Sequence, residues 1–272
     1  MADALDAVTT QGAEAPADGL ATIAAAARRM FGDALPQAEK YAVLLAGSGV
    51  EQGVVGPAEA GRIWDRHLLN CGAVARLIPA RCSLVDLGSG GGLPGLVLAI
   101  LLPSARVTLL EPMARRAEFL GHCVAELGLA NADVVRARAE EMAGQMAADV
   151  VTARAVAPLD KLAGMGVGLA RPGGRVLAIK GSSAEAELAR ALPVLVRLGI
   201  SDARVVRATG PEDSGEATVV TFTAPEHRPG GAGSQRAAGQ AGGRGRGPVS
   251  GRRDRVGLAG KNLRPNSRRG GG

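Results

Sequence analysis

The chain has 272 residues, of which 46% are hydrophobic and only 2% aromatic. That length suits one sizeable aliphatic core with a small appendage, and so few aromatics exclude a sheet that reads single-stranded RNA with rows of stacking rings. The net charge of +6 is unevenly placed: residues 227–272 carry 11 Lys or Arg against Asp254 alone, a balance of +10, while residues 1–226 hold 21 basic and 25 acidic groups, a balance of −4.

Residues 1–18 contain few large apolar groups and are expected to be disordered. This acidic start lacks the apolar stretch of a signal peptide. Residues 19–80 follow a helical pattern. LATIAAAARRMF reads as one helix, and PQAEKYAVLLAGSG as a second with Pro at its start and Gly at its end. In GPAEAGRIWDRHLLNCGAVARLI, the residues Ile63, Leu68, Cys71, Val74, Ala75 and Ile78 recur at helical spacing. This stretch is expected to form an N-terminal helical cap.

The period then changes. Short apolar runs at 83–88, 106–111, 132–137, 148–154 and 174–181 alternate with helical segments, one of them a short helix near Glu140. Runs at 203–208 and 217–223 follow with no helix between them, and PEDSG at 211–215 supplies a hairpin turn. Strands apolar on both faces and alternating with helices predict an α/β domain over residues 81–224, with a mostly parallel seven-stranded sheet covered on both sides. One of the last two strands is expected to be antiparallel. The Gly/Arg-rich tail from residue 225 has no periodicity and is expected to be disordered, with its positive charge attracting RNA non-specifically.

Cys71, Cys82 and Cys123 show neither paired spacing nor a nearby His cluster, so they are expected to be reduced thiols without a disulfide or metal. The longest apolar stretch, residues 93–103, falls short of the roughly 20 residues that span a bilayer. A cytoplasmic monomer with no membrane association is expected.

Residues 86–95 read DLGSGGGLPG, with five glycines between two apolar runs. In a doubly wound sheet such a first βα turn is where a ligand approaches the backbone. Glu111 ends the second strand, 25 residues after Asp86, where a carboxylate can accept from both hydroxyls of a ribose. Two cofactor classes fit. Gly90, Gly92 and Gly95 form a GxGxxG, the dinucleotide pattern, but it begins four residues past Asp86, outside its usual register. Asp86, Gly88 and Gly90 instead give acid-x-Gly-x-Gly immediately after the strand, the pattern of S-adenosylmethionine binders, with a carboxylate near the cofactor's cationic end.

Several motifs together are similar to the glucose-inhibited division protein B family: DLGSGGGLPGLVLAI, LLEPMARRAEFL, RAEE, VTARAVAPLDKL, GGRVLAIKG and, upstream, WDRHLLN. The resemblance covers roughly residues 25–223. It departs from the family pattern at Asn70, at Ala114-Arg115-Arg116 and at GSGVEQGVVGP. It implies a class I S-adenosylmethionine-dependent methyltransferase, Rossmann-like in fold, acting on N7 of a guanine in the 530 loop of 16S ribosomal RNA. The RNA would be presented naked or within the 30S subunit or its precursor. Carried over by position, the family's cofactor contacts fall on Gly88, Leu93, Ala139, Glu140 and Arg154.

Guanine N7 has a lone pair and no proton, so the implied reaction is in-line transfer without a general base. The candidates for positioning are Arg154 and Lys180. The acidic body needs local cationic patches to meet phosphate. Arg62, Arg66, His67, Arg115, Arg116 and Lys180 are the candidates for RNA contact. The arginines among them suit phosphate through their planar forks. The alternatives are a methyltransferase for a small molecule or protein, an NAD-dependent oxidoreductase, and a non-catalytic RNA-binding protein.

Overall fold

A computed structural model describes residues 17–226. The disorder expected for residues 1–18 and for the tail from 225, and the tail's attraction for RNA, therefore lie outside the described residues but for the few at each boundary. Helix α1 (Ala17–Phe31) and helix α2 (Leu35–Leu44) open the described chain. A π-helical turn, Leu45–Gly49, continues α2. Residues 57–77, apolar at helical spacing, are helical but not of one pitch. They change pitch from a 3-10 turn (Pro57–Arg62) to a π turn (Ile63–Leu68), then α3 (Leu69–Ala73) and a second 3-10 turn (Val74–Leu77). The wide π turn carries Ile63, Trp64, His67 and Leu68 inward together. Apolar spacing alone does not distinguish these pitches, because each of them buries one stripe.

The α/β body follows as β1 (Ser83–Leu87), α4 (Gly95–Leu101), β2 (Arg106–Leu110), α5 (Ala114–Leu127), β3 (Ala132–Val135) and α6 (Ala139–Met142). Then come β4 (Ala148–Arg154), α7 (Leu159–Leu169), β5 (Ala170–Lys180), α8 (Ala184–Arg197), β6 (Arg204–Thr209) and β7 (Glu216–Thr223). The sheet order is β3-β2-β1-β4-β5-β7-β6. All neighbours are parallel except β7, which runs antiparallel to both β5 and β6. This is the Rossmann-like, mostly parallel seven-stranded sheet expected from the sequence. β5 begins earlier than its apolar run indicates, because Ala170 pairs with Ala148 before a register shift carries Arg175 opposite Val150.

Two apolar clusters sandwich the sheet. On one face Leu84, Leu98 and Leu109 join Met30, Tyr41, Ile63 and Trp64, so the N-terminal helices share their core with the sheet. On the other, Val151 and Val176 meet Leu162, Val167 and Leu195 of α7 and α8. Phe31 packs edge-on to Trp64 with ring centroids 6.1 Å apart.

The strand order reverses between β1 and β4, which places a crevice outside their carboxyl ends. Entry to that crevice depends on how tightly α4 sits on the sheet. A Cβ on Gly95 would stand 2.3 Å from Leu109 Cδ2 and 2.6 Å from Asp86 Oδ2. Gly95→Ala is therefore expected to destabilise the fold by about 1–3 kcal/mol. Gly47→Ala, where nothing stands within 4 Å, should stabilise it by about 0.4–1 kcal/mol. Urea unfolding of the two variants checks both signs.

Candidate active site

Asp86, next to last in β1, is fully buried. Its Oδ2 accepts from the Gly95 N–H at 3.0 Å and its Oδ1 from the Thr152 hydroxyl at 2.9 Å. One carboxylate thus joins β1, the start of α4 and β4. Burial pushes its pKa up to about 6, against the hydrogen bonds that favour the charged form. Both oxygens are engaged within the protein, so Asp86 holds the walls of the site together.

The loop that follows is built from backbone specials. Gly88, Gly90 and Gly92 adopt φ of +66°, +56° and +95°, which side chains disfavour. A Cβ on Gly88 would stand 2.8 Å from Val156 Cγ2, and one on Gly92 would stand 2.4 Å from Leu96 Cδ1. The close approaches at Gly92 and Gly95 are therefore internal packing. Glu111, buried at the end of β2, holds the loop from the other side. Its Oε2 accepts from Gly90 N–H at 2.9 Å and its Oε1 from Met113 N–H at 3.0 Å. Tyr41 of α2 donates its hydroxyl to the Gly91 carbonyl at 2.6 Å, which fastens the N-terminal helices to the same loop.

A cavity of ≈ 250 Å³ opens beside these ends. Gly88, Glu111, Ala139, Glu140 and Val156 line it, together with Met113 and Met165. Arg116, expected on the RNA surface, also lines this cavity, whereas Arg115 is exposed on the first turn of α5. Leu93 is half-buried against the core and, like Gly90, is not among the lining residues.

A larger cleft of ≈ 870 Å³ adjoins the cavity, with Ala155 and Val156 common to both. Its walls carry Arg62, Arg66, Arg154, Lys180 and Arg190 against Asp65 and Glu187, an excess of three positive charges. Ala155, immediately after β4, has φ +55°. A non-glycine residue there costs on the order of 1–2 kcal/mol, so surrounding contacts must hold it.

Arg62 pairs with Asp65 at 2.9 Å and Arg66 with Glu59 at 3.0 Å, and both arginine side chains are about half exposed. Such pairs contribute little, about 0–1 kcal/mol, so a phosphate can replace the partner at small cost. Lys180 is less free. Its Nζ stands 2.7 Å from Glu187 Oε2 and donates to the Ala157 carbonyl at 3.1 Å.

His67, expected among the RNA contacts, is 8% exposed. Its ring is used internally: Nε2 stands 3.0 Å from Glu59 Oε2, and Nδ1 meets Arg154 Nη2. Burial first, and then the Arg154 charge, lower its pKa below 6.5. The residue is not among those that line the cleft. Arg154 also donates Nη1 to Cys71 Sγ at 3.1 Å and Nη2 to the Arg66 carbonyl at 3.3 Å.

Sequence reasoning missed Arg190 and the twofold wall of Ala155 and Val156. No local pattern marks them, because topology alone brings α8 and the end of β4 to the cleft. It named Asn70 only as a departure. The residue lines the cleft and ties α3 to β7 through the Glu216 carbonyl at 2.7 Å.

Among the described residues, no group of three or more His, Cys, Asp or Glu is placed to hold a metal ion, and no helix is long and apolar enough to cross a membrane. All three cysteines are free.

A family model described as GidB, rRNA small subunit methyltransferase G, matches residues 34–213. The chain is 52% identical over 198 residues to the ribosomal RNA small subunit methyltransferase G of Thermobifida fusca, covering 73% of this chain and 84% of that protein. It is 55% identical over 184 residues to the protein of the same name from Salinispora tropica, covering 65% and 76%. Among solved structures, a SAM dependent methyltransferase from Aquifex aeolicus superposes with a TM-score of 0.46 at 16% identity, over 65% of this chain and 97% of that one.

Asp86 should leave a mark on the pH dependence of stability. Its folded value of about 6 exceeds the ordinary 3.8, so between those values the folded protein keeps a proton that the unfolded chain has lost. Its contribution thus favours folding at the acid side of that window and falls away as pH rises. Asp86→Asn is expected to flatten this part of the profile of urea midpoint against pH. A variant curve parallel to the native one from about pH 4 to 6 would mean that Asp86 titrates normally.

Proposed function

The chain belongs to the rRNA small subunit methyltransferase G family, and from that membership we propose that it transfers a methyl group from S-adenosylmethionine to N7 of a guanine in the 530 loop of 16S ribosomal RNA. That it is an rRNA methyltransferase follows from the family. The cofactor, the atom and the nucleotide are the further reading. One observation carries that reading: a small cavity with acidic groups and a large cationic cleft meet at Ala155 and Val156, outside the strands where the sheet order reverses.

The residues around the small cavity fit an adenosine-bearing sulfonium cofactor. Gly88 presents backbone without a side chain. Each Glu111 oxygen accepts one backbone N–H and keeps lone pairs for ribose hydroxyls. Met113 and Met165 provide apolar walls, and Ala139 and Glu140 complete the lining. Bound there, S-adenosylmethionine supplies an electrophilic methyl group on a positively charged sulfur.

The protein's own part is positioning. Guanine N7 has no proton to lose, so no side chain has to act as a base. Holding the base in line is worth up to about 7–11 kcal/mol. Arg62, Arg66 and Arg190 provide cations for phosphate at the mouth of the cleft, and Arg115 adds one near the glycine loop. Arg154 and Lys180 line the cleft, Arg154 next in sequence to the shared Ala155. In this reading the enzyme works as a monomer in the cytoplasm, on RNA within the 30S subunit, its precursor or naked 16S RNA.

Calorimetry is expected to show binding of S-adenosylmethionine and none of NAD; the reverse would move the protein to the oxidoreductases. In 16S RNA from cells lacking the gene, mapping of 7-methylguanosine should show loss of one modified guanine in the 530 loop. Retention of that nucleoside would overturn the assigned atom and site.

A further inference from the structure

His67 is a buried titratable group of the N-terminal helices that contacts Arg154, a residue of the cleft wall, without itself lining either chamber. Its position is set from three elements. Arg154 reaches it from the end of β4, Glu59 from the 3-10 turn Pro57–Arg62, and Arg66 stands on its own π turn. A guanidinium has donors only. The contact between Arg154 Nη2 and His67 Nδ1 therefore requires a lone pair on Nδ1 and puts the ring proton on Nε2. Nε2 stands 3.0 Å from Glu59 Oε2, near enough for electrostatic attraction but without the alignment of a hydrogen bond. Glu59 in turn pairs with Arg66 at 3.0 Å, and Arg154 is steadied by Cys71 Sγ and the Arg66 carbonyl.

We propose that neutral His67 is a positioning residue for methyl transfer: its Nδ1 lone pair holds the Arg154 guanidinium against the helical cap at the wall of the cleft, next in sequence to the shared Ala155. A proton on Nδ1 removes the acceptor and sets two cations face to face, so Arg154 leaves its place. Cys71 and the Arg66 carbonyl give only a weak sulfur bond and a long one, at 3.1 and 3.3 Å, and do not replace the imidazole. The role of His67 in the reaction rests on the methyltransferase reading above. The tautomer and its partner do not.

Two measurements separate these. The chain has only three histidines, His67, His122 and His227, so side-chain nitrogen NMR resolves His67. At pH 7.5 the ring is expected to be protonated at Nε2 alone, and Arg154→Ala should raise its titration midpoint, because a neighbouring positive charge is gone. A ring protonated at Nδ1, or a midpoint unmoved by Arg154→Ala, would overturn the proposal, whatever the substrate proves to be. The second measurement follows methylation of 30S subunits with pH. The native rate should fall on the acid side of 6.5.

His67→Leu should lose about tenfold in rate at pH 7.5, the scale of one hydrogen bond to a charged group. His67→Asn, whose amide oxygen offers an acceptor near the Nδ1 position, should regain most of that loss and lack the acid limb. An acid limb kept in His67→Asn, or a native rate in His67→Leu, would count against the idea. If His67→Leu melts well below the native protein, the asparagine variant and the spectra decide.

Discussion

The buried carboxylate of Asp86 is the joint on which this site depends. A charge removed from water is costly unless it is hydrogen-bonded, and here the two acceptors are answered by α4 and by β4. The bond from Gly95 N–H draws the start of α4 onto β1 until no Cβ fits there. The bond from Thr152 fixes β4 beside β1, next to Ala155 and Val156 at the sheet's reversal. Every distance at the junction of the two chambers is measured from strands that this one side chain holds together.

A second layer hangs on that joint. Glu111 grips the glycine loop at Gly90 from β2, and Tyr41 grips it at Gly91 from the helical cap. Arg154 and its partners make a further bridge from the end of β4 to the cap. The cap is thus bound at both rims of the junction, one on the cofactor side and one on the cleft side. Its shared core with the sheet explains why: helices that had only their own apolar stripe to bury would not hold hydrogen-bonding partners to a few tenths of an ångström.

Much of this was readable before any coordinates. Short apolar runs alternating with helical ones set the sheet, because a strand buried on both faces has no polar positions to spare. The missing helix between the runs at 203–208 and 217–223 marked the antiparallel edge. Gly88 and Glu111 stood out through their places after the first strand and at the end of the second. What stayed hidden was direction. A carboxylate at a strand end reads the same whether it faces a ligand or its own fold, and Asp86 faces its fold. His67 lies in a segment whose spacing suits an α-helix, a π turn or a 3-10 turn equally, and only the π turn shows that it points inward. Arg190 became a cleft residue through α8, whose placement no local pattern fixes.

The scarcity of aromatics has a consequence for observing this molecule. The chain has a single Trp and a single Tyr, and both lie in the cap: Trp64 beside Phe31 in the π turn, Tyr41 against the glycine loop. The sheet and its outer helices hold only Phe119 and Phe222, which emit weakly. Intrinsic fluorescence of this protein is therefore a signal from the cap alone. Trp64 stands two residues from both Arg62 and Arg66 and packs into the core that the cap shares with the sheet, so its emission is an optical gauge of the seam behind the cleft wall.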